Sequence, residues 1–301
     1  MSEKRRPTPP ILAAVGLSLL LAACSGAGAD PSPTAPGASP TPAASDSDDL
    51  EHETGATDVL LRYEDGGGFM MAEFAATMVP HFTLYGDGTV IFRDPSDEAP
   101  PAEGSVFKAG PLKVAKLTEE QIQDLLKYAL DEGGLAGARA QYTNDTVADA
   151  STTTFTISAE GQTKTVSIYA LGLELEGMAD AAPRAAFLKL AETLVTIDEG
   201  GTVSATPYVP TAYRGVLLEA PGIVAPDTRD WPWDDIAVED FVVDPDPNGM
   251  QLPTRVMTAE EIEVIGIDDY EGGFQNMVVR APGGGATYTF SLRPLLPDES
   301  K

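Results

Sequence analysis

Trp231-Pro232-Trp233-Asp234-Asp235 sets both tryptophans of the chain beside two carboxylates. On a loop, that grouping suits two chemistries. Indole faces stack on the apolar faces of sugars or on a partner's side chains. Alternatively, a carboxylate pair about 5–10 Å apart in a cleft can act as acid and base on a glycosidic bond. The competing reading is packing, with the indoles covering the edge of a core and Asp234 and Asp235 facing water. Ser105 and Lys108 stand three apart, the spacing of a serine nucleophile activated by a lysine one helical turn on. Their stretch is irregular or strand-like, and the other residues such an enzyme needs are missing.

Asp244-Pro245-Asp246-Pro247-Asn248-Gly249 places oxygen ligands at alternate positions before a glycine, as an EF-hand calcium loop begins. The twelfth position is Arg255, a cation where a bidentate glutamate belongs, and two prolines stiffen the loop. The segment reads as an acidic turn, with Asp244, Asp246 and Asn248 the candidate ligands if a calcium ion is held outside EF-hand geometry. No other cofactor is implied. The chain has two histidines, His52 and His81, too far apart in character to pair: His52 falls in a polar linker and His81 stands alone in an alternating strand. There is no phosphate loop, no dinucleotide glycine motif after a strand and no GxSxG elbow.

The elements that must position these groups follow from periodicity. Val59 to Tyr63 is strand-like. Residues 80–92 form a hairpin around Gly86-Asp87-Gly88, which supplies positive-φ positions. Phe82 and Leu84 share one face, His81 and Thr83 the other. A helix follows with complete start signals: Thr118 as cap, Gln121 three on, and a Leu117/Ile122 staple. Its stripe is Ile122, Leu125, Leu126, Ala129 and Leu130. A second hairpin turns at Glu160-Gly161, and a second helix is predicted from Pro183 through Leu194. After residues 202–211, which read as a boundary, the signals partly repeat: a strand from Tyr213, the Thr258/Glu261 capping device and a closing hairpin around a Pro-Gly-Gly-Gly turn. The expected fold is α+β, two small antiparallel-sheet-plus-helix units in a possible degenerate repeat, at 58–201 and 212–301.

The N-terminal segment carries an address. Lys4, Arg5 and Arg6 precede an apolar run at 11–23, too short to span a bilayer as a helix and typical of an export signal. Leu21-Ala22-Ala23-Cys24 resembles the bacterial lipobox. The resemblance implies removal of 1–23 and acylation of Cys24, the chain's single cysteine. Two acyl chains anchor stably where one does not. With that thiol consumed, no intramolecular disulfide can form. Residues 24–57 then follow as a Pro-, Ser-, Ala- and acid-rich linker, expected to be a disordered tether. The expected location is the extracytoplasmic face of a bacterial cell membrane. A formal charge of −28 excludes nucleic acid as a partner. It also disfavours an anionic lipid surface beyond the anchor itself.

The Gly86-Asp87-Gly88 hairpin, the capped helix, the Tyr142…Asp149…Thr152-Thr153-Thr154 stretch and the ending Arg293-Pro294-Leu295-Leu296-Pro297-Asp298-Glu299 are similar to a family of uncharacterised bacterial lipoproteins. Some relatives carry cysteines before the first hairpin, where this chain has Ala76-Thr77-Met78-Val79, so any role tied to those thiols is absent. The resemblance implies a fold and no activity. The functional expectation is a non-catalytic, membrane-anchored binding domain for an envelope protein or polysaccharide, with Trp231 and Trp233 as ligand-binding candidates. The alternatives are an envelope hydrolase using carboxylates near those tryptophans and a calcium-dependent binding module.

Overall fold

Turn chemistry and capping place the elements, and pairing between distant segments joins them. The computed structural model describes residues 49–174, 177–223, 225–245, 251–283 and 285–299, the side chains of 244 and 245 excepted. Cys24, the signal segment and the linker up to residue 48 lie outside them. The first half runs β1 (Val59–Gly66), α1 (Ala72–Ala76), β2 (Phe82–Tyr85), β3 (Thr89–Phe92), β4 (Phe107–Lys108), β5 (Lys113–Lys116) and α2 (Glu119–Leu130). It continues with β6 (Gln141–Tyr142), β7 (Thr152–Ala159), β8 (Gln162–Tyr169), α3 (Ala181–Val195) and β9 (Ala205–Pro207). The second half holds β10 (Tyr213–Glu219), β11 (Arg229–Asp230), β12 (Val242–Pro245), β13 (Gln251–Met257), α4 (Ala259–Glu263), β14 (Phe274–Arg280) and β15 (Thr287–Pro294). Among the described residues no helix is long and apolar enough to cross a membrane.

The fold is α+β, built on two sheets. One has strand order β6-β8-β7-β1-β2-β3-β5-β9 and the other β11-β14-β15-β10-β13-β12. Each sheet sets its first long strand between two hairpins, and a capped helix separates those hairpins in sequence. That shared layout is what the partial repeat of signals reflects. The connections differ, however: β1 pairs with the first strand of each of its hairpins, β2 and β7, whereas β10 pairs with the second strand of each, β13 and β15. The halves are also interlaced. β9, inside the stretch read as a boundary, is an edge strand of the first sheet, and β4 from the first half pairs with β14 of the second. Strands of two or three residues carry no periodic signal, so their partners set them.

The capping box of α2 is formed in both directions, Gln121 N–H to Thr118 Oγ1 at 3.3 Å and Thr118 N–H to Gln121 Oε1 at 2.9 Å. The stripe of α2 and Phe187, Leu190 and Leu194 of α3 cover Phe82, Leu84, Phe155 and Ile168 in one core. Each such fully buried side chain contributes about 1.5–3 kcal/mol. Helix α3 begins two residues before Pro183, which sits in the first turn, where its missing N–H costs nothing. In the second sheet the Thr258/Glu261 box caps α4 and sends Ile262 into a separate core with Phe274, Phe290 and Trp233.

Two sequence expectations change here. Residues 49–57, read as the end of a disordered tether, are packed. Leu50 N–H donates to Gln123 Oε1 at 2.8 Å, and Gln123 Nε2 donates back to the Leu50 carbonyl at 3.0 Å. The side chain of His52, placed by the sequence in that polar linker, is only 4% exposed, with Nε2 at 3.0 Å from Glu119. The acidic composition concealed this because the side chains that hold it, Gln123, Glu119 and Glu160, are more than sixty residues away. The Gly-Asp-Gly turn serves the same docking. A Cβ at Gly86 would stand 2.4 Å from the Glu53 carbonyl oxygen, and one at Gly88 (φ +84°) would stand 2.6 Å from that of Leu117. Asp87 closes the turn by accepting from Thr89 N–H at 2.9 Å.

The terminal Arg-Pro-Leu-Leu-Pro-Asp-Glu stretch fastens the two sheets together. Asp298 accepts from Arg62 at 2.9 Å and from the Tyr85 hydroxyl at 2.6 Å, both on the first sheet. Arg293, buried in β15, donates to Glu299 and to the Met78 carbonyl. Leu296 packs with Val79, Tyr85, Ile91 and Leu112. Thr83 and Tyr85, on the face opposite Phe82 and Leu84, are therefore buried as well. Burial and the neighbouring Asp298 both push the Tyr85 hydroxyl far above its ordinary pKa.

Candidate functional site

Strand β11 is two residues long and pairs in parallel with β14, Asp230 opposite Arg280. That pairing fixes where the following loop begins. In Trp231-Pro232-Trp233 the indoles are two residues apart and meet edge to face, with ring centres 5.1 Å apart and planes at 75°. Trp233 is 7% exposed and packs on Phe290 at 5.2 Å, and its Nε1 donates to the Glu261 carbonyl at 2.7 Å. Trp231 is half-buried, and its Nε1 donates to the Ile236 carbonyl at 2.7 Å. The packing reading therefore holds for Trp233, which belongs to the second core, while Trp231 stands at its rim.

Between this loop and the β14–β15 turn lies an open cleft of about 450 Å³. Trp231, Trp233, Asp230 and Asp234 line one side, Arg280 and residues 281–283 the other. Ala281, Pro282 and Gly283, which follow β14, are thus the opposite wall of the tryptophan site, fifty residues away in sequence. Arg280 donates to Asp230 across the mouth at 3.0 Å, and Asp230 is 89% exposed. Asp235 does not line the cleft. Both indole N–H groups are spent inside the protein, so the tryptophans can offer a ligand only ring surface. Hydrogen bonding falls to Asp230, Asp234 and Arg280. No His, Cys, Ser, Thr, Tyr or Lys stands among the described lining residues, and the two carboxylates are the only groups there that could carry a proton.

The chain matches no family model, no curated protein and no solved structure.

The other candidates fare differently. Asp244 sits in β12, where its backbone pairs antiparallel with Leu252 of β13. An EF-hand loop would instead leave a helix. Asp246 and Asn248 lie outside the described residues. Arg255, at the twelfth position, is on β13 and donates to Glu261 at 2.7 Å. Among the described residues no three His, Cys, Asp or Glu side chains converge as a metal site. The Ser105–Lys108 spacing does not form a nucleophile and base. Ser105 donates its hydroxyl to Asp227 at 2.9 Å, and Lys108, on a strand, pairs with Glu103 at 3.6 Å.

Two polar clusters were not legible in the sequence. His81 Nε2 lies 3.2 Å from Asp65, which also accepts from the Thr153 hydroxyl at 2.6 Å, and the imidazole stacks near Tyr63. Burial pushes the Asp65 carboxyl up, but the bonds from His81 and Thr153 outweigh it and hold the pKa below its ordinary value. The Thr153 hydroxyl donates to the carboxylate and not to the imidazole, so the trio orders strand ends rather than activating a nucleophile. Lys113 is the second centre, within 2.8 Å of Asp94 and 3.2 Å of both Asp97 and Asp198. The Lys113 ammonium, with Ser96, holds Asp94 down to about 2.

Proposed function

We propose that this chain is a lipid-anchored, extracytoplasmic binding domain whose cleft at Trp231 holds a neutral glycan of the cell envelope. The address rests on the export signal and Cys24, and the stalk on the Pro-rich segment that follows. The observation that carries the ligand assignment is the cleft itself. An indole face is offered beside two carboxylates and a guanidinium, with neither indole N–H free to donate. Sugars suit such a wall: their C–H faces cover the ring and their hydroxyls bridge to Asp234 and Arg280. Two carboxylates against one guanidinium, on a chain of −28, repel anionic polymers. The ion pair between Arg280 and the exposed Asp230 supports holding over hydrolysis, because that carboxylate is engaged by a cation at the cleft mouth.

The test is retention of envelope polysaccharide, separated into neutral and anionic fractions, on the immobilised protein. The neutral fraction is expected to bind. Trp231→Ala should weaken it by roughly tenfold, as loss of an aromatic anchor does. Asp234→Asn, which leaves the core untouched, should weaken it without changing the melting temperature. Equal retention of both fractions, or by wild type and Asp234→Asn alike, would refute the assignment. Release of new reducing ends from the bound glycan would replace it with the hydrolase.

A further inference from the structure

Away from the cleft, the loop 66–71 presents apolar side chains that nothing in the described fold covers. Phe69 is 92% exposed, Met71 53% and Met70 36%. The backbone beneath them is fixed. Gly67 and Gly68 take left-handed φ values of 69° and 81°, Phe69 N–H donates to the Asp149 carbonyl at 3.2 Å, and Asp149 itself holds φ 60°. A second loop thus props the tip outward. A consecutive Phe-Met-Met at a propped apex is an exposed apolar patch of the kind that marks a contact site, and methionine adapts to an irregular pocket.

Charge selects among the surfaces that could receive it. Residues 63–92 and 140–163, which form the tip and its support, contain no lysine or arginine. Glu73 follows the tip in α1, and Asp149 lies beneath it. Arg184 and Arg293 approach this end to bind the Thr143 and Met78 carbonyls, both buried and ion-paired, to Asp180 and Glu299, and Arg214, on β10 beside α1, is half-buried and engaged as well. An anionic bilayer repels such a rim, and so does a second copy bearing the same one. We infer that the Phe69–Met71 tip plugs into a partner protein that offers an apolar pocket rimmed by lysine or arginine. This site is independent of the tryptophan cleft.

The experiment places the photoreactive analogue benzoyl-phenylalanine at Phe69 in the full chain and irradiates cells that make it. The result expected is one adduct of discrete mass. Its cross-linked partner peptide should be apolar with lysine or arginine beside it, as read by mass spectrometry. Yield should fall about fivefold in the Glu73→Gln/Asp149→Asn variant and in roughly 0.5 M salt. Asparagine tolerates the left-handed backbone at 149, and an unchanged melting temperature confirms folding. Adducts to lipid alone, an adduct of twice the chain mass, or no adduct would each overturn the inference. So would a yield indifferent to charge and salt, or the same adduct from the analogue at Val209, which is 75% exposed elsewhere.

Discussion

Replacing Lys113 by methionine removes the one cation among three carboxylates and should cost about 2–4 kcal/mol of stability at neutral pH. Asp94 is 5% exposed and bonded to Lys113 at 2.8 Å, while Asp97 and Asp198 approach the same ammonium at 3.2 Å. Holding Asp94 down from 3.8 to about 2 corresponds to about 2 kcal/mol, with the bond from Lys113 the largest single cause and the two bonds from Ser96 beside it. Mutual repulsion among the carboxylates left behind adds the rest. The sign with pH follows. A depressed carboxylate contributes fully above its unfolded value and loses that contribution as pH falls toward the folded one. The raised Lys113 contributes below its unfolded value and loses out only at strongly alkaline pH. Urea titration followed by far-ultraviolet circular dichroism, on wild type and Lys113→Met at pH 7 and pH 3, reads this directly. The gap between the two proteins should narrow by at least about 1 kcal/mol at pH 3. A variant as stable as wild type at pH 7, or a gap that ignores pH, refutes the reasoning.

Asp298→Ala should lower stability by about 2–4 kcal/mol in thermal melts, because it leaves the Arg62 guanidinium and the buried Tyr85 hydroxyl without their acceptor. Gly88→Ala should cost upward of about 1 kcal/mol, since it adds a Cβ both at positive φ and 2.6 Å from a backbone oxygen. His52→Ala should loosen residues 49–57 and speed proteolysis there. In wild type, burial opposes charge on His52, but the Glu53 carbonyl and Glu119 raise its pKa, so the segment should be held best in mild acid and released as pH climbs past that raised value. Metabolic labelling with a fatty acid should mark the wild-type chain and leave Cys24→Ala unlabelled.

What the sequence disclosed was local. Thr118/Gln121 and Thr258/Glu261 announce helix starts because the bonds they make span three residues. Glu160-Gly161 announces a hairpin because both residues must hold positive φ, and they do at 54° and 65°. What stayed hidden was non-local. β4 has a partner only because β14 passes beside it, and Leu50 is ordered only because Gln123 faces it. The site shows the same division. The tryptophans and their aspartates were visible as a five-residue string. Arg280 and residues 281–283 were not, because only the β11–β14 pairing brings them across from Trp231. The C-terminal string owes its role to Asp298, which sits between Arg62 and Tyr85, both more than two hundred residues away in sequence.

The most direct measurement uses the fact that both tryptophans of the chain line the proposed cleft. Titration of the purified protein with soluble neutral envelope glycan should give a saturable change in tryptophan emission. That change should be reproduced by no anionic envelope polymer and be weakened in Asp234→Asn. Emission that stays constant through a titration in which the glycan is shown to bind elsewhere, or to bind nowhere, would contradict the account.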